Sequence, residues 1–149
     1  MTPRMSLRAY GLAALSVLAA LTSACAASPT SLRAFAGRYE LRSVNGRPVP
    51  VDALGGALAG ELVLTVDGRF TRTVSYARSG LPEPAVMREA GAYDVHGTEI
   101  TFRGVREGLL APLGGGVIAW GEVRLPSVFF RYPGPADQGV EEEYVRATN

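Results

Sequence analysis

The most telling charge in this sequence is an arginine set in an apolar face. Arg72 alternates with Phe70, Val74 and Tyr76, while Thr71, Thr73 and Ser75 take the opposite parity. Strand side chains alternate between two faces, so an inward aromatic face carries Arg72 in with it. A buried guanidinium is costly unless paired, and a carboxylate must therefore meet it. Glu89 is the candidate, since it shares a parity with Gly91 and Tyr93 on the next apolar run. Such a pair serves either as an internal site for an anionic head group or as a structural ion pair. The structural role is the commoner one for internal charges. An Arg72 near a strand end would instead extend its head to water.

Other chemistry has less to stand on. His96 precedes Gly97 in a turn pattern, where a histidine is usually just exposed, and a general base would need a Ser or Cys held in reach, which spacing alone does not show. No catalytic residue is assigned, and no enzymatic activity is expected. A single Cys and a single His leave neither a Cys/His zinc site nor a disulfide framework. The run Glu141-Glu142-Glu143 has the composition of a calcium site. On a strand, however, those side chains point alternately to opposite faces and cannot converge on one ion. It reads as a solvated face that protects an edge, and neither metal nor cofactor is expected. The 15 basic residues, all arginine, are spread along the chain against 14 acidic ones, for a formal charge of +1. That balance offers no field for neutralising phosphates and excludes a basic nucleic-acid binder.

The N-terminus carries an address. Arg4 and Arg8 precede an apolar run from Tyr10 to Leu21, interrupted only by Ser16. This is the layout of an export signal, and the run is short for a membrane span. It ends in Thr22-Ser23-Ala24-Cys25-Ala26-Ala27. Ser23, Ala24 and Cys25 resemble the lipobox of bacterial lipoproteins, with Thr22 where an aliphatic residue is preferred. The resemblance implies that Cys25 becomes a lipidated N-terminus, with membrane lipid as its partner. Cleavage after Ala24-Cys25-Ala26, an A-x-A site, is the alternative and would release a soluble periplasmic or secreted protein. Residues 1–24 are thus expected to be a signal peptide, residues 25–31 a tether, and residues 32–149 the folded domain. In lipoproteins of two-membrane bacteria a neutral residue after the cysteine marks the outer membrane, so with Ala26 the resemblance implies an outer-membrane anchor facing the periplasm.

The elements that must position Arg72 and Glu89 are short strands. Ser31 to Phe35 makes one helical turn, after which the period changes to two. Asn45-Gly46, Asp67-Gly68 and His96-Gly97 mark hairpin turns between β-rich runs. Pro82, Pro84, Pro112, Pro126, Pro133 and Pro135 all fall between runs, where paired strands need them to be. Gly37-Arg-Tyr39 recurs as Gly91-Ala-Tyr93, as if a glycine kink beside a bulky inward aromatic were needed twice. Eight strand candidates at hairpin spacing predict an all-β, eight-stranded antiparallel up-and-down barrel, which leaves no open edge. A two-sheet β-sandwich is the alternative.

Phe35-Ala-Gly37-Arg-Tyr39 near the start and Tyr144-Val-Arg146 near the end resemble the lipocalin-like superfamily of small bacterial barrels. The run Tyr39 to Pro50 (YELRSVNGRPVP) is also similar to the opening of lipocalin-like proteins from bacterial envelopes. The resemblance covers roughly residues 32–146, with Tyr39 in the place of the family's usual Trp. It implies that Arg146 packs over Tyr39 to close the barrel. It also implies a binding barrel for a small hydrophobic or amphipathic ligand. The candidate ligand-facing residues are Tyr39, Phe70, Arg72, Tyr76, Glu89, Tyr93, Phe102 and Trp120. With Leu41, Leu62, Leu64, Ile100, Phe130 and Tyr132 they are bulky enough to fill much of a small barrel. The expected cavity is therefore modest and lies toward one mouth. The apolar loops Val51–Ala59 and Gly108–Gly116 are expected to serve as lids, contact patches or end plugs. The competing function is a non-enzymatic envelope interaction or scaffold module.

Overall fold

A computed structural model describes residues 29–51, 56–78, 80–107, 116–133 and 139–148. The expected signal peptide, Cys25, and the central parts of both apolar loops lie outside these residues. The short helix α1 (Pro29–Phe35) takes in Pro29–Ser31, at the end of the segment assigned to the tether. It leads into β1 (Gly37–Val44), β2 (Arg47–Pro48), β3 (Ala57–Leu64), β4 (Arg69–Tyr76) and β5 (Ala85–His96). There follow β6 (Glu99–Glu107), β7 (Gly116–Arg124), β8 (Ser127–Pro133) and β9 (Gly139–Arg146).

Apart from the two-residue β2, which pairs only with β1, the strands form one antiparallel meander in chain order. β1 also pairs with β9, with Tyr39 opposite Arg146 and Leu41 opposite Tyr144. That pairing closes an eight-stranded antiparallel barrel and removes the sandwich alternative, in which these strands would sit in separate sheets. Arg146 Cζ lies 5.3 Å from the centre of the Tyr39 ring. The Arg146 Nη2 donates to the Tyr39 hydroxyl at 2.9 Å and to the Ala34 carbonyl at 2.7 Å. One side chain thus ties α1, β1 and β9 together.

Asn45 and Gly46 both take positive φ, as the tight turn after β1 requires. β3 begins at Ala57, inside the segment assigned from sequence to an apolar loop, because Ala57 and Ala59 pair with Tyr76 and Ser75. α1, the turns 65–68, 96–98 and 124–127, and the end of β9 gather at one end of the barrel. Leu32 and Phe35 pack against the core there, so this end is closed. The hairpin at Asn45 and the β4–β5 connection belong to the other end, the mouth. Phe70, Phe102 and Phe130 stack through the interior, with ring centres 5.0 and 4.6 Å apart.

Trp120 departs from the expected inward face: it is half exposed on the outside of β7. The reason is parity. Ala119, Gly121 and Val123 are the buried set, and Glu122 lies on the same outer face as Trp120. A register shift between Phe102 and Arg103 of β6 then lets Ile118 and Ala119 both turn inward. Trp120 is removed from the ligand-facing set.

Candidate functional site

β4 and β5 pair with Arg72 opposite Glu89, so both side chains enter the barrel from neighbouring strands. Each is fully buried, as the alternation around Arg72 demands. Arg72 Nη1 donates to Glu89 Oε2 at 2.6 Å. The guanidinium also reaches across the barrel to β9. Its Nε donates to Glu142 Oε2 at 3.0 Å and to the Tyr144 hydroxyl at 2.8 Å, and its Nη2 donates to both Glu142 oxygens. Tyr132 and Tyr144 donate to the same carboxylate at 3.0 and 2.6 Å. Arg106, entering from β6 opposite Glu89, donates through Nε to the remaining Glu89 oxygen. Two buried arginines thus face two buried glutamates, and the cluster balances in charge.

This cluster corrects the reading of Glu141-Glu142-Glu143 as a solvated, edge-protecting face. Glu142 is completely buried, while its neighbours stay half exposed on the outside. Glu141 accepts from Arg131 at 2.6 Å, and Glu143 accepts from Ser127 at 3.0 Å. There is no edge to protect, because β9 pairs on both sides. Glu142, Tyr144 and Arg106 belong to the internal network and escaped the sequence reading. The signal was present, since Val140, Glu142 and Tyr144 alternate with one parity.

Burial disfavours the charged Arg72, yet Tyr144, Glu142 and Glu89 more than offset this and push its pKa well above the usual value. The phenols respond in the same direction. Burial raises the pKa of Tyr144 well above its ordinary value, and Glu142 adds to the rise against the pull of Arg72. Tyr76 and Tyr132 are raised first by burial and then by Glu142. Tyr93 is pushed up to about 12, chiefly by burial. As pH climbs past about 10, unfolded tyrosines lose their protons while these four keep theirs. The folded state then binds more protons than the unfolded one, so stability falls with rising pH. A pH titration should show a stability plateau below about 10 and a decline above it. Tyrosinate absorbance from these residues should appear together with loss of the near-ultraviolet circular dichroism. Ordinary phenol ionisation in an intact fold would contradict the packing described here.

Toward the mouth the barrel opens into a cavity of about 650 Å³. Val44, Ala57, Ala85, Met87 and Val140 form apolar walls, and Tyr76 and Tyr132 stand at its inner end. Period two fixes the layering. Two residues inward from Met87 is Glu89, two inward from Val140 is Glu142, and four inward from Tyr76 is Arg72. The ion network therefore lies beneath the cavity, where the Tyr132 hydroxyl links the two by donating to Glu142. Arg72 Cζ lies 4.5 Å from the Phe130 ring centre, which seats the cluster directly on the aromatic stack.

Of the residues expected to face a ligand, Tyr76 alone is among those lining this cavity. Arg72 and Glu89 lie below it. Phe70 and Phe102 belong to the aromatic stack, and Tyr93 donates to the Thr65 carbonyl at 2.7 Å near the closed end. Tyr39 donates to the Phe35 carbonyl at 2.6 Å and caps the same end. His96 is exposed in its hairpin turn, 96–98. No protein-family model, curated protein or solved structure matches this chain.

Proposed function

We propose that this protein is an envelope-tethered, lipocalin-like barrel that binds a small hydrophobic or amphipathic molecule without transforming it. The observation that carries this reading is the cavity of about 650 Å³ at the mouth, whose walls are apolar. Its size falls within the range of about 300–1,000 Å³ that small-molecule sites occupy. Below it the interior is filled by aromatic rings and a charge-balanced ion network, which makes a rigid floor. Small residues at Ala57 and Ala85 leave room where bulkier ones would close the mouth.

On this reading Cys25 carries the lipid, and the chain reaches the barrel at its closed end through α1. Pro29 lies four positions after Cys25, a span of at most about 14 Å when extended. The closed end then sits nearest the bilayer, and the mouth faces away from it. Ligand exchange would occur with the aqueous compartment or a partner there.

Native mass spectrometry of the full chain purified from membranes tests both halves. The expected spectrum shows a diacylglycerol adduct on Cys25 and a noncovalent hydrophobic molecule. Ala85→Trp, placing a large ring in the cavity, should release the molecule while the fold survives by circular dichroism. An apo mass together with no binding of apolar fluorescent probes would favour the scaffold module instead. An unmodified cysteine, or a chain that begins after Ala26, would overturn the anchor.

A further inference from the structure

We infer that the cavity is selective for anionic amphiphiles, with the acid group held at the rim by Arg47 and Arg78 and the apolar body inside. This rests on the cavity being the binding site. Among the described residues lining it are these two arginines and no acidic residue. Both are exposed, and neither forms an ion pair among the described residues. Elsewhere on the outer face Arg38 pairs with Glu61, Arg103 with Asp94, Arg124 with Glu122 and Arg131 with Glu141, so a guanidinium beside a carboxylate is a common arrangement on this barrel that Arg47 and Arg78 do not share among the described residues. Two guanidiniums thus stand where a ligand would enter, with no carboxylate paired to them among the described residues.

Orientation follows from the floor. Arg72 spends its donors on Glu89, Glu142 and Tyr144, and the buried cluster is already neutral. A carboxylate pushed down to it would meet Glu142 and Glu89 in a poorly solvated setting. Arg106 Nη2 is buried with no partner among the described residues, but Arg106 is not among the lining residues. An acid group therefore stays at the rim, in water and beside two guanidiniums. The walls of Val44, Met87 and Val140 cover the chain. At about 30 Å³ per water-sized group, the cavity holds on the order of twenty such groups. A single acyl chain fits that room.

The test is competition against an apolar fluorescent probe on the purified full-length protein, using dodecanoate, dodecanol and dodecyltrimethylammonium in low and high salt. Dodecyl phosphate is added to separate carboxylate from phosphate preference. Dodecanoate should bind about tenfold more tightly than dodecanol, since each exposed ion pair contributes up to about fivefold. The ammonium should bind most weakly. The anion's advantage should shrink in high salt, as exposed charges are screened. The double variant Arg47→Gln/Arg78→Gln should remove it while leaving dodecanol affinity unchanged. Equal binding of dodecanoate and dodecanol, or a preference that survives in the double variant, overturns the inference. If dodecanol binds and Ala85→Trp excludes it, the cavity remains a binding site and only the selectivity fails. If none of the compounds binds, both readings fall.

Discussion

Arg72→Met is expected to cost at least about 3–5 kcal/mol of folding stability, the range for breaking a buried ion pair from one side. The loss here is compounded, because one guanidinium serves two fully buried carboxylates. Removing it leaves Glu142 with only the Tyr132 and Tyr144 hydroxyls, and Glu89 with only Arg106. Small domains hold about 5–15 kcal/mol in total, so the variant should lose a large fraction of its stability. Urea denaturation against the parent protein measures the difference. The compensating double variant Arg72→Met/Glu142→Leu separates charge from packing. It leaves Glu89 and Arg106 as a balanced pair, and it should recover at least about 2 kcal/mol of the loss. Orphaned Tyr132 and Tyr144 hydroxyls would keep it below the parent by roughly 1 kcal/mol each. A single variant within about 0.5 kcal/mol of the parent, as for an ordinary surface substitution, would show that the network is not buried as described.

Arg72 was legible in the sequence because it interrupts an otherwise apolar parity. A charge at that position either snorkels or finds a partner, and Glu89 sat at the right parity on the adjoining strand. Glu142 carried the same kind of signal and was missed. Three consecutive glutamates look like one polar run, although alternation assigns the middle one to Val140 and Tyr144. Trp120 misled in the opposite direction, because a large ring suggests an interior position. Its parity with Glu122 placed it outside, and bulk is a weaker guide than alternation when a strand has one wet face. The meander and its turns were readable from Asn45-Gly46, Asp67-Gly68 and His96-Gly97, since hairpin chemistry is local. The cavity was not readable. It arises where Val44, Ala57, Ala85 and Val140 meet across distant strands, and how far the core fills depends on that three-dimensional register.

Gly121→Ala should be among the most damaging single-methyl additions in the barrel. Gly121 is buried on β7 opposite Phe130 of β8. A β-carbon built there would lie 1.7 Å from the Phe129 carbonyl oxygen and 2.8 Å from its carbon, both backbone atoms. No rotamer change relieves such a clash, so β7 and β8 must separate and lose ladder hydrogen bonds. The expected cost is about 3 kcal/mol or more, the upper end for overpacking. The same geometry recurs where Gly91 of β5 faces Gly104 of β6, with β-carbons that would come 2.0 and 2.1 Å from the backbone carbonyls of Arg103 and Ala90. Those glycines let the sheet coil tightly enough to close with eight strands and to bring Phe70, Phe102 and Phe130 into contact. Gly139→Ala is the control, since a β-carbon there meets nothing within 4 Å among the described residues. It should leave stability within about 1 kcal/mol of the parent, and gain slightly if the unfolded chain loses freedom. Thermal unfolding of the two variants side by side distinguishes a steric requirement from a general intolerance of alanine. Equal stability would mean that β7 and β8 do not approach closely, and the sheet would then not coil as required to seal the core beneath the cavity.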